Sequence, residues 1–526
     1  MEKELTIESL VIEVAALKAA LSEANLKLSL LMEQISSHCR KLYGVSSEKT
    51  VYDNKNEQLT YLTNEPPELF IVHNVEQEPE IKTKDTHGVR PRKSSEMCTR
   101  IPAGMPVEII ECVLPDETFD NNGRLLHRIG REFVRRELKF TPAIATIIEI
   151  WRNSYTSRES ERDDDKVSII KAPLPPQVIK GSMCTPETIA HIIVQKCVMG
   201  APLHRQAQDW KRKGIPIAKQ TMANWLIRCS NDYFEPIYDE LHIELLKNML
   251  LHSDGTSFQV LKEPGKSPQS ESCMWQFRTS GDAVHQIVLF DYKPDKRQIR
   301  PMEFLKGFSG YLTTDGSPSY NNLPDEIILT GCFSHARSHF SDALRCLKKD
   351  EQPGSLALIG KEFCDHVFDI ERDIKDKSYD ERYRIRNEKA APHLSRFYDW
   401  LKSVEPYVVP KSKLGKAVGY CLNQWQYLTR YLLDGRIECS NNRAERSFKT
   451  FVVNRKNFLF ADSVAGGRAT AVLHSLTETA KEAKLDPYRY LTHVLQTAAG
   501  IDLRKNPTLV KMLLPENAPA SCKVPD

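Results

Sequence analysis

The sequence has 526 residues, of which 40% are hydrophobic and 27% are charged, with a formal net charge of only +3. This composition is typical of globular proteins, and the length allows roughly two to four domains. The 13 cysteines follow no framework spacing, and no apolar run is long enough for a membrane span or a signal peptide. These features exclude a membrane protein and a secreted disulfide scaffold, and we expect an intracellular protein.

The N-terminal segment carries a heptad pattern. Apolar side chains recur at spacings of four and three from Leu10 to Leu42, interrupted only by His38. This pattern predicts a coiled coil over residues 1–49 through which the chain self-associates. A single amphipathic helix packed on its own core is the alternative interpretation.

Two segments with different residue patterns follow the heptad segment. Residues 50–105 are polar and contain prolines, which predicts a linker. Residues 106–172 show the alternation of apolar and polar side chains that is typical of strands. We therefore expect a small β-rich module between the linker and the rest of the chain.

A basic helical region is predicted over residues 173–247. Helices over 203–213 and 218–229 flank a turn with Gly and Pro, and residues 203–229 hold six cations against one anion. This arrangement fits a helix-turn-helix whose second helix enters the major groove of DNA. An ordinary helical hairpin would leave the same pattern. The candidate DNA contacts here are Arg205, Lys211, Arg212, Lys213 and Lys219.

Strands and helices then follow in the order of an α/β core. Three antiparallel-looking strands, a helix and a further strand are the opening of a ribonuclease-H-like fold. We divide this core into a first part (248–347) and a second part (434–500), separated by a helical insertion (348–433). A C-terminal tail (501–526) follows, which we expect to be Pro-rich and loose after Lys505. The predicted strands cover 249–261, 272–279, 284–292, 310–314 and 327–331, and the predicted helices cover 300–306, 335–347, 442–451, 465–484 and 488–495.

Three carboxylates fall at positions suited to catalysis. Asp254 interrupts an apolar strand, Asp315 ends a strand before a Gly turn, and Glu445 lies in the first turns of a helix. A carboxylate in an apolar strand is costly to bury without a cation or a partner. Ions such as Mg²⁺ prefer oxygen ligands, and two of them can drive phosphodiester cleavage. Because an aspartate before glycine is more often a structural turn residue, the residue types alone leave both interpretations open.

The residues around these carboxylates resemble the transposases of the insertion-sequence-66 family. The resemblance implies a multidomain α/β protein, a DDE transposase whose ribonuclease-H-like core carries a helical insertion before the glutamate. The family's two aspartates and its glutamate then correspond to Asp254, Asp315 and Glu445. The motifs that carry the resemblance are HSDGT (252–256), GCFSHAR (331–337), NNRAER (441–446), RKNFLFA (455–461) and SLTETAK (475–481).

The resemblance also implies a reaction and partners. The expected reaction is cleavage at the ends of a mobile element, dependent on Mg²⁺ (or Mn²⁺), followed by attack of the freed 3′-hydroxyl on target DNA. The expected partners are double-stranded DNA, both element ends and target, a second copy of the chain, and companion proteins of the same element. The expected location is the prokaryotic cytoplasm, at the nucleoid. We expect four further phosphate contacts near the triad, for which a salt-bridged helix face is the alternative interpretation. They are Arg337, Arg446, Arg455 and Lys456.

Zinc is not expected. Cys332 and His335 form a Cys-x-x-His pair, but a structural zinc site needs four ligands, so we interpret the pair as an accessory element. Many relatives carry two Cys-x-x-Cys pairs before the helix-turn-helix, whereas this chain has no cysteine between Cys112 and Cys184. A further departure from the family is Asn454, which stands where relatives have glycine.

Two other functions remain open. A catalytically decayed copy could act as a DNA-binding regulator, which predicts salt-dependent binding and a dispensable triad. A general nuclease of ribonuclease-H type would need neither the coiled coil nor the C-terminal motifs.

Overall fold

The computed structural model describes residues 174–524 continuously, and before them only positions 14, 16–18, 148, 150, 154–155 and 170–171. Three predicted segments lie outside the described residues almost entirely: the coiled coil (1–49), the linker (50–105) and the β-rich module (106–172). Within the last of these, strand β1 (Ser154–Tyr155) pairs antiparallel with β2 (Ile170–Lys171). Residues 175–524 belong to one unit, which holds the elements below.

The unit begins with a helical module, as the sequence predicts. Thr185 caps the first helix by accepting from the amide of Thr188 at 3.2 Å, and a Pro occupies the first helical position. A π-helical turn at Ser230–Phe234 joins the third helix to the fourth. The helices are α1 (Pro186–Cys197), α2 (Leu203–Arg212), α3 (Lys219–Cys229) and α4 (Glu235–Leu246).

A mixed sheet with helices on both faces forms the centre of the unit, which confirms the expected α/β class. Its order is β5-β4-β3-β6-β7, in which β3, β4 and β5 are antiparallel while β6 and β7 run parallel to β3. The last strand, β8, also pairs parallel with β3. The strands are β3 (Leu250–Lys262), β4 (Glu271–Thr279), β5 (Val288–Lys293), β6 (Gly310–Thr313), β7 (Ile327–Thr330) and β8 (Phe460–Ser463).

Both faces of the sheet are covered, and most side chains of its strands β3 and β4 are buried. On one face Phe258 and Phe290 pack against Phe451. On the other face Phe277 stacks on Phe304 with ring centroids 3.9 Å apart. Successive residues of β4 alternate between these two layers, as the pleat requires. The remaining helices are α5 (Ile299–Phe304), α6 (Phe333–Arg345), α7 (Leu356–Asp373), α8 (Tyr379–Ile385), α9 (Ala391–Val404), α10 (Lys413–Leu428), α11 (Asn442–Phe458), α12 (Val464–Glu482), α13 (Pro487–Ala498) and α14 (Pro507–Met512).

Helices α6, α7, α9 and α10 build a second apolar core beside the sheet. Buried Arg386 donates to both carboxylate oxygens of Glu371, at 2.8 and 2.6 Å, and to the carbonyls of Tyr431 and Asp434. A buried guanidinium is costly unless its donors are satisfied. These four hydrogen bonds therefore fix the segment that follows α10, at Tyr431 and Asp434, against α7. In the described part of the chain, no helix combines the length and the apolar character needed to cross a membrane.

Helix α11 is tied to the helical module at its C-terminal end. The buried amide of Asn454 donates to the carbonyl of Cys197, the last residue of α1, at 2.7 Å. Gly200 lies against the same side chain with φ +69°, and a Cβ there would come within 2.6 Å of the Asn454 Oδ1. Asn454 therefore makes a buried contact between α11 and α1.

One predicted strand needs correction, and one observed strand was not predicted. The strand predicted over 284–292 begins only at Val288, because Val284 lies in the preceding loop and is 90% exposed. The Thr279 amide donates to the Ile287 carbonyl there and closes the hairpin. Strand β8 was not predicted at all, because its four residues alternate between exposed and half-buried and carry no strong apolar pattern.

The expectation of a loose tail is wrong. Val510, Leu513 and Leu514 are buried in the main core, and the Tyr490 hydroxyl donates to the Leu513 carbonyl at 2.8 Å. The amide of Asp486 also donates to the Cys522 carbonyl, at 2.8 Å. The prolines that suggested a loose segment instead begin or precede short helical turns. Helix α14 lies on α4, and the turn at Ala520–Cys522 lies on α13.

The packed tail leads to a stability prediction. Leu513→Ala is expected to lower the free energy of unfolding by about 2–5 kcal/mol, because it leaves a cavity at a side chain that is only 2% exposed. The neighbouring Met512→Ala, at a side chain that is 62% exposed, is the matched control and should change it by less than about 0.5 kcal/mol. Urea unfolding followed by tryptophan fluorescence measures both. Equal effects of the two substitutions would contradict this packing.

Candidate active site

The three carboxylates come from one strand, one loop and one helix. Asp254 lies in β3 opposite Gln276 of β4. Asp315 lies two residues beyond the end of β6, which runs parallel to β3. Glu445 lies in the first turn of α11. Segments that are far apart in the sequence thus converge on one edge of β3.

This edge of β3 is shared by two strands. Strand β6 pairs with the N-terminal end of β3 and β8 with its C-terminal end, while residues 253–258 lie between the two pairings. Asp254 is in this interval. The Arg455 guanidinium also reaches into it and donates to the hydroxyl of Thr256, at 3.3 Å, and to the carbonyl of Ser257. Because neither β6 nor β8 pairs with β3 at this point, the Asp254 carboxylate lies in the centre of the sheet and is still partly exposed.

The charges around Asp254 favour a bound cation. Burial, and then the carboxylates of Asp315 and Glu445, raise the pKa of Asp254 well above its ordinary value. The amide of Gly255 donates to Asp254 Oδ1 at 2.7 Å, and the amide of Ser317 donates to Asp315 Oδ1 at 2.9 Å. Because the three side chains offer only oxygen donors and repel one another, the set fits a hard divalent cation.

Asn441 fixes the start of α11 against β3. Its buried amide Nδ2 donates to the Ser253 carbonyl at 2.9 Å, and its Oδ1 accepts from Nδ1 of His252 at 3.0 Å. Its backbone amide donates to the sulfur of Cys332 at 3.1 Å. One residue, through its side chain and its backbone amide, therefore links the strand of Asp254, the helix of Glu445 and the N-terminus of α6.

His252 is a neutral part of this support. Burial lowers its pKa to about 4, although Glu438, whose carboxylate lies 3.7 Å from Nε2, opposes that shift. Glu438 in turn accepts from Nε of Arg443 at 2.8 Å. Sequence reasoning missed His252, Glu438 and Asn441 as supporting residues, although all three lie inside or beside the motifs that identified the carboxylates.

Cys332 and His335 lie beside Glu445. His335 Nδ1 is 3.6 Å from Glu445 Oε1. Burial opposes a positive charge on His335, but Cys332 and the carboxylates of Glu445 and Asp315 outweigh it and raise the pKa of His335 to about 10. The accessory pair predicted from the sequence is thus brought into the same charged neighbourhood as the triad.

The candidate DNA contacts fall into two groups. All five in the helical module are exposed, and Lys213 pairs with Asp209 at 2.7 Å. Near the triad, Arg446 and Lys456 are exposed, whereas Arg337 pairs with Asp365 and Arg455 bonds the edge of β3. Protein groups therefore engage at least Arg337 and Arg455 among the four arginine and lysine side chains proposed around the triad.

Sequence reasoning also missed two polar side chains on α3. Gln220 and Asn224 are exposed one turn apart, and the Gln220 amide donates to Asn224 Oδ1 at 3.2 Å. They follow Lys219 at the N-terminal end of the helix. Exposed amides at an i, i+4 spacing were the available signal, because they lie on the face opposite the buried Met222 and Trp225.

Comparison with known proteins identifies the family. The model of the Transposase IS66 family matches residues 181–469, from the helical module to the start of α12. Three similar proteins come from Sinorhizobium fredii (strain NBRC 101917 / NGR234). The uncharacterized protein y4jD is 30% identical over 383 residues, which cover 70% of this chain and 72% of y4jD. The uncharacterized proteins y4qI and y4hP are each 26% identical, over 93% and 72% of this chain and over 89% and 69% of their own lengths. The chain belongs to the IS66 family of transposases.

Proposed function

We propose that the chain binds the terminal inverted repeats of an insertion sequence and catalyses metal-dependent DNA cleavage and strand transfer. The observation that carries the proposal is the convergence of Asp254, Asp315 and Glu445 on one edge of β3. Family membership supports the same conclusion. Three antiparallel strands followed by two strands parallel to the first support a ribonuclease-H-like core.

In this proposal the three carboxylates hold Mg²⁺ or Mn²⁺. When bound, a pair of such ions supplies activation of the attacking oxygen and stabilisation of the leaving oxygen at phosphorus. The residues of the chain position the ligands: β3 holds Asp254 rigidly, and Asn441 holds the first turn of α11, which carries Glu445. Hydrolysis at the element end and attack on target DNA are both in-line displacements, so one site serves both.

The proposal is tested by incubating the purified chain with Mg²⁺ and end-labelled DNA of the element terminus. We expect a nick at the element boundary that leaves a 3′-hydroxyl. DNA that is bound specifically but stays intact would instead support the alternative of a DNA-binding regulator. Cleavage of unrelated duplexes at the same rate would support a general nuclease.

The helical module is proposed to read the ends through α2 and α3. Lys219→Ala is expected to weaken binding to every duplex and to reduce the slope of log K against log salt by about 1, because one phosphate contact is lost. Gln220→Ala is expected to cost about 1–3 kcal/mol of discrimination for element ends and to leave that slope unchanged. Fluorescence anisotropy at several salt concentrations measures both quantities. The control is Lys523→Ala, at an exposed lysine in the tail. Identical salt slopes for Lys219→Ala and wild type would contradict the proposed docking of α3 on DNA.

A further inference from the structure

Cys332, His335 and Glu445 place three different donor atoms around one point. Cys332 precedes the first turn of α6, His335 follows one turn later, and Glu445 comes from the first turn of α11. Their ligand atoms, one sulfur, one imidazole nitrogen and one carboxylate oxygen, all lie within 4.8 Å of one another. The sequence spacing offered only the first two, and the fold adds the third.

The distance between the nitrogen and the oxygen is informative. His335 Nδ1 and Glu445 Oε1 are 3.6 Å apart, which is too long for a hydrogen bond. Both atoms are buried, and neither has a hydrogen-bond partner within the described chain. Two ligands of one tetrahedral ion, each about 2.0–2.1 Å from the metal, lie about 3.3–3.5 Å apart. The two atoms therefore have nearly the separation that a shared ion requires.

The position and the contacts of the Cys332 sulfur also fit those of a metal ligand. Cys332 is fully buried and immediately precedes the first turn of α6. Its sulfur accepts the Asn441 amide at 3.1 Å, the kind of outer contact that orients a metal ligand. A thiolate, an imidazole and a carboxylate together select a borderline transition metal such as Zn²⁺ over Mg²⁺, which prefers oxygen.

We propose that Cys332, His335 and Glu445 bind one transition-metal ion of the zinc class beside the carboxylate triad. Three protein ligands leave a fourth position open, as in zinc sites that keep a water. Because Glu445 belongs to both this site and the triad, the ion would fix the orientation of this carboxylate. This site stands on its own geometry and does not require that the chain cleaves DNA.

Cobalt is the probe for this site, because Co²⁺ replaces Zn²⁺ and a cobalt–thiolate bond gives a charge-transfer absorption in the near ultraviolet. The purified full-length chain is titrated with Co²⁺, and we expect this band to saturate at one ion. Cys332→Ser is expected to abolish the band. The matched control is Cys346→Ser at the other end of α6, whose sulfur donates to the Asp342 carbonyl and lies outside the cluster; it should keep the band.

Two more variants keep the test decisive. His335→Gln, at a side chain that is one-third exposed, should fold normally and weaken Co²⁺ binding about tenfold or more. Asp254→Asn should keep the band, which separates this site from the proposed magnesium site. A wild-type chain without the band, a Cys332→Ser variant that retains it, or an Asp254→Asn variant that loses it would each overturn the proposal. Loss of DNA cleavage with an intact band would refute only the proposed function.

Discussion

Asp254→Asn is expected to reduce cleavage of element-end DNA by about a thousandfold or more. A metal ion that stabilises charge at phosphorus is worth several kcal/mol, and each 1.36 kcal/mol is a factor of ten in rate. The substitution keeps the shape of the side chain and removes one charge from a site where burial and two carboxylates already raise the pKa of Asp254. Folding should therefore be preserved. Single-turnover cleavage in Mg²⁺ measures the loss, and anisotropy should show unchanged DNA binding.

The control for this substitution is Asp462→Asn. Asp462 lies on β8, which also borders β3, but its side chain is exposed and pairs with Lys262 at 2.8 Å. It should cleave at the wild-type rate. A rate for Asp254→Asn within about tenfold of wild type would show that this carboxylate does not act at phosphorus.

Asn441→Ala is expected to reduce cleavage by about a hundredfold, the size of effect that a displacement of about 1 Å produces at a reacting centre. The substitution removes the contacts from α11 to Ser253 and His252, so Glu445 loses its fixed position relative to Asp254. It also leaves the buried His252 Nδ1–H without its acceptor, at a cost of about 1–3 kcal/mol of stability. Urea unfolding and single-turnover cleavage measure the two effects.

A positioning role for Asn441 differs from a purely structural one in its metal dependence. If Glu445 is displaced, the ions bind more weakly, and the loss of rate should shrink as the Mg²⁺ concentration rises. General destabilisation would reduce the rate equally at all Mg²⁺ concentrations, and that result would contradict the proposed role. Asn442→Ala, one residue further along and only half-buried, is the control and should leave both the rate and its metal dependence unchanged.

Local sequence signals predicted most of the core. Strand β3 was expected over 249–261 and is Leu250–Lys262. It could be predicted because its apolar residues and the residues that end it are adjacent in the sequence. The helix of the glutamate was expected to end at residue 451 but continues to Phe458, where Leu459 adopts φ +64° and ends it. For Asp315, the residue types alone left both a turn residue and a metal ligand open, and the surrounding motifs indicated the family.

Long-range contacts were beyond local signals. Nothing in the residues around Asn441 indicates that it bonds β3, because its partners lie almost 190 positions earlier in the chain. The same holds for Glu445 as the neighbour of Cys332 and His335, and for Arg455, whose charge suggested a phosphate contact although it bonds the edge of β3. In the tail, composition suggested a loose segment, whereas burial of its few leucines against α13 and α4 decides the structure.

Strand transfer from a pre-cleaved end is the most direct test of the central claim, that one carboxylate site makes this chain a transposase. The purified chain is mixed with Mg²⁺, a labelled end that already carries its 3′-hydroxyl, and a plasmid target. We predict joined product with wild type, and parallel loss of joining and of cleavage in Asp254→Asn, Asp315→Asn and Glu445→Gln, with end binding retained. Bound ends that never join in wild type, or joining that persists in all three variants, would contradict the claim.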